Sequence, residues 1–291
     1  MTQPLSAYEI TGRTRLICLL GDPVSHSKSP MMHNEGFRQL GLDYCYLAFK
    51  ADENTLEATV DGLKRLNCRG FNLTMPCKNK MAALCDLSPA AGIGGSVNTV
   101  VNEEGVLTGH TTDGLGFLRS LREAGQEYTG RKMVLFGAGG AGTAILVQSA
   151  LDGMKEISVF SRSSSPLIAR TKQIVDTLSR QTSCRINLFD YDDAVLAREI
   201  ASAQILTNAT NIGMAPDVER CLLADASYFH KDLFVADAIY NPVETRLLKL
   251  ARNAGCRTVN GLPMLLYQGA EAFRLWTGEE LPVEIVKKKY F

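Results

Sequence analysis

Gly137-Ala138-Gly139-Gly140-Ala141-Gly142 follows the apolar run at residues 133–136 and leads into a helix-like stretch over 143–151. In a strand–turn–helix setting the spaced glycines have separate uses. The first permits a tight turn, the second lets the backbone approach a pyrophosphate, and the third lets helix and strand pack closely, while the helix N-terminus presents N–H groups to phosphate oxygens. This is the chemistry of dinucleotide binding. A second apolar strand, 157–160, arrives where an NAD-binding chain places an acid on the adenine ribose, but here it is followed by Ser161-Arg162-Ser163-Ser164-Ser165. A guanidinium and hydroxyls suit a ribose 2′-phosphate, so the loop favours NADP, with NAD as the second choice.

If one part of the chain carries a hydride donor, another must hold the substrate and move a proton. Three polar clusters fall where strands are expected to end. In Pro23-Val24-Ser25-His26-Ser27-Lys28-Ser29-Pro30, Ser27 and Ser29 alternate. In an extended segment both hydroxyls point the same way and suit vicinal hydroxyls or a carboxylate. Ser29 before Pro30 is equally a good helix N-cap, and the residues alone leave both readings open. In Asn72-Leu73-Thr74-Met75-Pro76-Cys77-Lys78, Asn72 and Thr74 share a side of a strand end and Pro76 opens a helix. Lys78 then stands in a first helical turn, where the positive end of the dipole disfavours its charge and suits it to proton exchange; a solvated lysine beside Lys80 is the alternative. The third cluster pairs Asn98-Thr99 with Thr111-Thr112-Asp113-Gly114. Asp113 reads either as the N-cap of a helix over 115–124 or as the carboxylate that holds and polarises Lys78 during alcohol oxidation or carbonyl reduction.

The elements that must position these groups alternate. Strands are expected at 16–20, 44–49 and 69–73, helices at 31–40 and 54–66, and a hairpin over 97–101 and 106–109. Such a series predicts an α/β fold with a mainly parallel sheet. Beyond Gly142, strands are expected near residues 134, 159, 186, 205, 234 and 259, with helices between them, the clearest over 166–180 and 244–254. Two terminal helices, 263–276 and 283–289, are expected to return to the first domain. The chain therefore divides into a substrate-binding domain, 1–114 with 261–291, and a dinucleotide-binding domain, 115–260. The active cleft is expected between them, at the strand C-termini.

The 291 residues are enough for two cores, and 45% hydrophobic with 21% charged residues suits a globular protein. With 31 basic and 31 acidic residues the formal charge is zero, which argues against a nucleic-acid or anionic-membrane binder but leaves room for a small anionic substrate. Residues 1–6 lack a secretory pattern and no apolar run reaches transmembrane length. The eight cysteines are scattered, with no metal-ligand spacing, so reduced thiols, a cytoplasmic location and no metal are expected.

His26-Ser27-Lys28-Ser29-Pro30, Asn72-Leu73-Thr74-Met75-Pro76-Cys77-Lys78, Val97-Asn98-Thr99, Thr112-Asp113-Gly114, the glycine loop, Asn208-Ala209-Thr210, Tyr240-Asn241-Pro242 and the run from Gly261 to Gln268 occur in the order of the motifs of shikimate and quinate/shikimate dehydrogenases. The chain resembles that family over nearly its whole length. The resemblance implies a Rossmann-like second domain and NAD(P)-dependent interconversion of 3-dehydroshikimate and shikimate, with 3-dehydroquinate and quinate as further candidates. It implies Lys78 and Asp113 as the catalytic pair, and Ser27, Ser29, Asn72, Thr74, Asn98, Asp113, Tyr240 and Gln268 as the substrate set. For the cofactor it implies Gly137, Ala138, Gly139, Gly140, Ala141, Gly142, Ser161, Arg162, Ser163, Asn208, Thr210 and Gly261. Ser29, where quinate-preferring relatives often carry Thr, tilts the expectation towards shikimate. Ser96, Thr111, Ser161 and Asn211 depart from the usual family residues and point to a divergent branch. Two alternatives stand beside this reading: a low-activity regulatory paralogue that binds NADP(H) and a ring acid, and a dehydrogenase of another cyclic hydroxy acid. A monomer or homodimer is expected, with no nucleic-acid or membrane partner.

Overall fold

The computed structural model describes residues 9–291; the reading of residues 1–6 lies outside that range. The described chain divides into two compact units, the residues up to Thr112 with Gln268–Phe291, and Asp113–Tyr267.

The first unit is built on a six-stranded sheet in the order β2-β1-β3-β5-β6-β4. Its strands are β1 (Arg15–Gly21), β2 (Tyr44–Lys50), β3 (Gly70–Leu73), β4 (Asp86–Leu87), β5 (Thr99–Glu103) and β6 (Val106–His110), with helices α1 (Ser29–Leu40), α2 (Leu56–Arg65), α3 (Lys78–Met81) and α4 (Pro89–Gly94). β1, β2 and β3 pair in parallel, as the β–α–β alternation requires, while β3–β5 and β5–β6 are antiparallel. The β5–β6 hairpin turns at Glu104 and Gly105, both at positive φ (53° and 90°), the conformation a tight hairpin turn needs. α2 buries Leu56, Val60 and Leu63, one apolar stripe at helical spacing, against Cys18, Leu20, Phe71 and Leu73 of the sheet. α1 ends on Gly41, whose φ of 64° lets its N–H return to the Phe37 carbonyl. The expected α/β unit with its hairpin needs only the short β4 and α4 added to it.

The end of the chain supplies α10 (Gly261–Thr277) and α11 (Val283–Tyr290). Within the first unit, Trp276 is fully buried and donates its indole N–H to the Val100 carbonyl (2.9 Å). That close approach is possible because Gly70 has no side chain: a Cβ there would stand 2.4 Å from the indole nitrogen. α11 is tied to α1 through Lys289 and the buried Glu35 (2.8 Å).

The second unit contains α5 (Asp113–Glu123), β7 (Lys132–Phe136), α6 (Gly140–Leu151), β8 (Glu156–Phe160), α7 (Ile168–Gln181), β9 (Arg185–Phe189), α8 (Asp193–Ala201), β10 (Ile205–Asn208), β11 (Phe234–Asp237), α9 (Arg246–Asn253) and β12 (Arg257–Val259). All six strands pair in parallel, in the order β12-β11-β10-β7-β8-β9. The chain winds outward from β7 through β8 to β9, then crosses to β10 and winds the other way. This doubly wound order creates a switch point between β7 and β10, where a dinucleotide binds in such sheets. Every strand expected in this half is present. The β10–β11 connection differs from expectation: it carries no α-helix, only a 3₁₀ turn at Ala226–Tyr228. α6 is buried on almost every side, which its run of Ala, Ile, Leu and Val permits.

Candidate active site

The glycine loop stands at the end of the central strand β7. Gly137 takes φ +92°, a conformation natural to glycine, and a Cβ there would stand 2.8 Å from Thr210 Cγ2. A Cβ on Gly142 would lie 2.1 Å from the Gly137 carbonyl oxygen, so this third glycine is what lets α6 start hard against the turn. Gly139 and Gly140 are different: a Cβ on either would meet nothing within 4 Å. Gly139 is the N-cap of α6 and its side chain position faces open space at the helix N-terminus, as phosphate approach to the backbone demands. The local geometry therefore fits a dinucleotide pyrophosphate.

Beyond β8, Ser161 is buried and Arg162, Ser163 and Ser164 are exposed. No acid follows β8 in sequence, yet the fold brings one: Asp190, just past β9, accepts from the Ser163 N–H (3.0 Å). Hydrogen bonds from Ser163 and Tyr191 hold its carboxyl below the usual carboxylate range. A groove of about 430 Å³ opens here, lined by Ser161, Ser163, Lys172 and Asp190 among others. Asp190 is adjacent because β9 pairs with β8, a relation that only the strand order shows; its one local signal was an acid ending an apolar strand.

Asn208 and Thr210 at the end of β10 are held from β11. Buried Asp237 accepts from Asn208 Nδ2 (3.0 Å), Ile239 N (3.0 Å) and the Thr245 hydroxyl (2.6 Å). Asn208 Oδ1 in turn accepts from the Thr210 hydroxyl (2.7 Å) and N–H (3.1 Å). Burial pushes the Asp237 carboxyl up to about 6, against the lowering effect of those three donors. Asp237 was not singled out from sequence, although it too is an acid at a strand C-terminus. Gly261 packs directly on the next segment: a Cβ would stand 2.1 Å from the Ala238 carbonyl oxygen. Tyr240 is 46% exposed. Asp113 is the first residue of α5, so the helix begins two residues earlier than expected and the carboxylate lies in its first turn, where the dipole favours it.

In the first unit the two serines are arranged by a turn and not by an extended segment, which corrects the expectation that alternation alone aligns their hydroxyls. Ser27 Oγ accepts from the Ser29 N–H (3.2 Å), and Ser29 is the first residue of α1. The N-cap is Lys28, in a helical conformation and without a side-chain cap, so Ser29 is not the capping residue. Lys28, between the serines, donates to the Tyr290 carbonyl. Thr74 lies past the end of β3, its N–H on the Leu20 carbonyl (2.9 Å) and its methyl 2.2 Å from where a Cβ on Gly21 would be. Lys78 is half-buried and opens α3, and its carbonyl accepts from Val97 N (3.0 Å). α3 starts at Lys78 and is only four residues long, so its dipole is small. Asn72, Asn98 and Gln268 are brought together: Asn72 Nδ2 donates to the Asn98 carbonyl (3.0 Å), and Asn98 Nδ2 donates to Gln268 Oε1 (3.4 Å). Lys78 belongs to the first unit and Asp113 to the second.

Among the described residues no cluster of His, Cys, Asp and Glu could hold a metal ion, and no helix is long and apolar enough to cross a membrane. All eight cysteines are free thiols, and Cys18, Cys68, Cys77, Cys184 and Cys256 are buried.

Comparison with known proteins bears on the whole chain. Residues 19–100 match the model of the shikimate dehydrogenase substrate binding domain, and residues 261–289 that of the shikimate 5′-dehydrogenase C-terminal domain. The shikimate dehydrogenase (NADP(+)) of Listeria innocua is 49% identical over 284 residues, 97% of each chain. The crystal structure of shikimate 5-dehydrogenase from Listeria monocytogenes in complex with shikimate and NAD superposes with a TM-score of 0.94 at 49% identity, covering 97% of this chain and 98% of the other. Quinate dehydrogenase from Corynebacterium glutamicum, in complex with NAD, is more distant, at 30% identity and a TM-score of 0.82 over 94% of this chain and 98% of that one. Together with the doubly wound sheet, its glycine turn and the polar network of the first unit, these similarities establish that the chain belongs to the shikimate dehydrogenase family.

Proposed function

We propose that this enzyme interconverts shikimate and 3-dehydroshikimate, with NADP as the preferred cofactor and NAD as a second one. The observation that carries the cofactor half is the glycine turn: Gly137 and Gly142 are required by backbone approach, while Gly139 and Gly140 face open space. The bound nicotinamide supplies or accepts hydride at the ring carbon bearing the alcohol or ketone. The chain's own residues position the substrate and manage the proton. Gly137 to Gly142 hold the pyrophosphate, Asn208, Thr210 and Gly261 line the cofactor, and Ser161, Arg162 and Ser163 receive the adenosine ribose, with the Arg162 guanidinium suited to a 2′-phosphate. Lys78 gives the proton to the carbonyl oxygen in reduction and takes it back in oxidation, with Asp113 as its carboxylate partner. Ser27 and Ser29 hold the ring carboxylate, Asn72, Asn98 and Gln268 read the ring hydroxyls, and Thr74 and Tyr240 complete the substrate set.

The name of the Listeria innocua relative supports NADP, and the Listeria monocytogenes complex, with shikimate and NAD, supports the substrate and shows that a close relative accommodates NAD. Ser29 favours shikimate over quinate, which has one more ring hydroxyl. The deciding experiment is steady-state kcat/KM for shikimate and for quinate, each with NADP and NAD. Shikimate with NADP is expected to give the highest value. Tight binding of NADP and shikimate with no turnover of either acid would instead identify a regulatory paralogue.

A further inference from the structure

Tyr46 is fully buried on β2, far in sequence from every group assigned above, yet its hydroxyl donates to Asn72 Oδ1 across 2.7 Å. The ring is held from several sides. Asn34 grips its main chain, accepting from Tyr46 N (2.8 Å) and donating to Tyr46 O (2.9 Å). The imidazole of His33 stacks on the phenol ring at 4.6 Å between centroids, and Trp276 lies 6.1 Å away. Both nitrogens of His33 are buried without a hydrogen-bond partner, and burial pushes its pKa down to about 3, so the wall behind the phenol is neutral. The Ser29 hydroxyl also lies against the phenol. A rigid, uncharged cage thus aims one hydroxyl at Asn72.

The consequence lies in the direction of the protons. Asn72 Nδ2 has two hydrogens, and both are committed, one to the Asn98 carbonyl (3.0 Å) and one to Thr99 Oγ1 (3.0 Å). Asn72 Oδ1, an amide oxygen, can only accept, so the Tyr46 hydroxyl is the donor. Thr99, receiving from Asn72, passes its own proton to Asn98 Oδ1 (3.0 Å), which also accepts from Thr112 N (2.9 Å). Asn98 then donates through Nδ2 to Thr112 Oγ1 (3.0 Å) and to Gln268 Oε1 (3.4 Å). The hydrogen bonds thus connect the phenol through Asn72 and Thr99 to Asn98, Thr112 and Gln268, whose carbonyl oxygen also receives the Thr112 hydroxyl (3.5 Å).

We propose that Tyr46 is a positioning residue of the substrate site: by fixing Asn72 it holds the Asn98 carbonyl and the Thr99 hydroxyl in place, and so sets where Asn98 and Gln268 meet the ring hydroxyls. The proposal rests on the reading of Asn98 and Gln268 as substrate-binding residues. Asn72 on this account also serves as a strut that joins the Tyr46 hydroxyl to the Asn98 carbonyl.

Tyr46→Phe keeps the ring and removes the first donor, which leaves Asn72 Oδ1 without its proton. The expected result is a KM for shikimate raised about tenfold, with kcat and the KM for NADP within about twofold of the wild type. Tyr44→Phe, which removes a hydroxyl from the same strand outside the network, is expected to leave all three unchanged. An unchanged KM for shikimate in Tyr46→Phe overturns the proposal, as does a parallel loss in kcat and both KM values, which is the pattern of general loosening. Thr99→Val breaks the same chain one link later and carries the same expectation if Tyr46→Phe does not fold. Failure of the wild-type protein to turn over shikimate strikes the assigned substrate; normal wild-type turnover with an indifferent Tyr46→Phe strikes the role of Tyr46 alone.

Discussion

The ammonium of Lys28 donates to the main-chain carbonyl oxygen of Tyr290 across 2.7 Å and stands 5.3 Å from the centre of the Phe291 ring. A lysine between two serines meant for a carboxylate would ordinarily be read as a third anion ligand. Here it fastens the turn bearing Ser27 and Ser29 to the last turn of α11. Lys28→Met, which keeps the aliphatic stem and removes the donor, is expected to raise the KM for shikimate about threefold to tenfold while leaving kcat near the wild-type value. Steady-state kinetics check this, and a selective loss of kcat would contradict it.

Lys78 carries the proton in the proposed reaction. Lys78→Ala is expected to lower kcat by roughly 10²–10⁴-fold, with a much smaller change in the dissociation constant for shikimate. Turnover measured beside binding by calorimetry separates the two, and a near-normal kcat would remove Lys78 from the mechanism.

Arg162 and Asp190 make opposite demands on the cofactor. The guanidinium favours a 2′-phosphate, whereas the carboxylate on the Ser163 N–H favours a ribose hydroxyl. Arg162→Ala is expected to lower kcat/KM with NADP by about tenfold or more and to leave the value with NAD within about twofold. Equal losses with both cofactors would place Arg162 elsewhere.

Gly142→Ala tests the turn itself. Its Cβ would stand 2.1 Å from a main-chain oxygen, so the backbone must move. A loss of about 1–3 kcal/mol in stability is expected, with weakened NADP binding. Gly140→Ala, whose Cβ meets nothing within 4 Å, is expected to cost far less stability. Thermal melts and cofactor titration of the two variants give the comparison.

Asp237 supplies a pH dependence of defined sign. Its pKa is raised from 3.8 to about 6 in the fold, chiefly by burial, so the folded state holds a proton that the unfolded state has released. Its contribution to stability is therefore fully present below about pH 4 and lost as pH rises through about 6, an effect of about 3 kcal/mol for a shift of this size. Relative to Asp237→Asn, the wild type is expected to gain stability as pH falls from 7 to 4 and to show a constant difference above about pH 7. Denaturant melts across that range provide the check; a wild type that loses ground on acidification would refute it.

Much of the architecture was legible because it depends on local pattern. Alternating apolar runs marked every strand of the second unit, and the spacing of Leu56, Val60 and Leu63 marked the buried face of α2. The glycine turn was legible for the same reason: the positive φ of Gly137 and the close approach of Gly142 to the Gly137 carbonyl are demands made within six residues. The ends of elements were less legible. The helix that Pro76 was expected to open starts at Lys78 and has a single turn, and the serine segment, for which an extended strand end and an N-cap at Ser29 were both open, is a turn closed by Ser27 on Ser29 with Lys28 at the N-cap. Boundaries of this kind follow from competing backbone hydrogen bonds, which residue types only bias.

By itself, then, the sequence determined the two-part α/β organisation, the dinucleotide turn and the residue types available to the chemistry, since these follow from periodicity and from local backbone sterics. Only the tertiary structure decided which distant groups hold them. Asp190 reaches the Ser163 amide because β9 lies beside β8, Asp237 reaches Asn208 because β11 lies beside β10, and Tyr46 reaches Asn72 across β1 because β2 and β3 flank it. Strand order is a property of the whole packed sheet, and no window of sequence contains it.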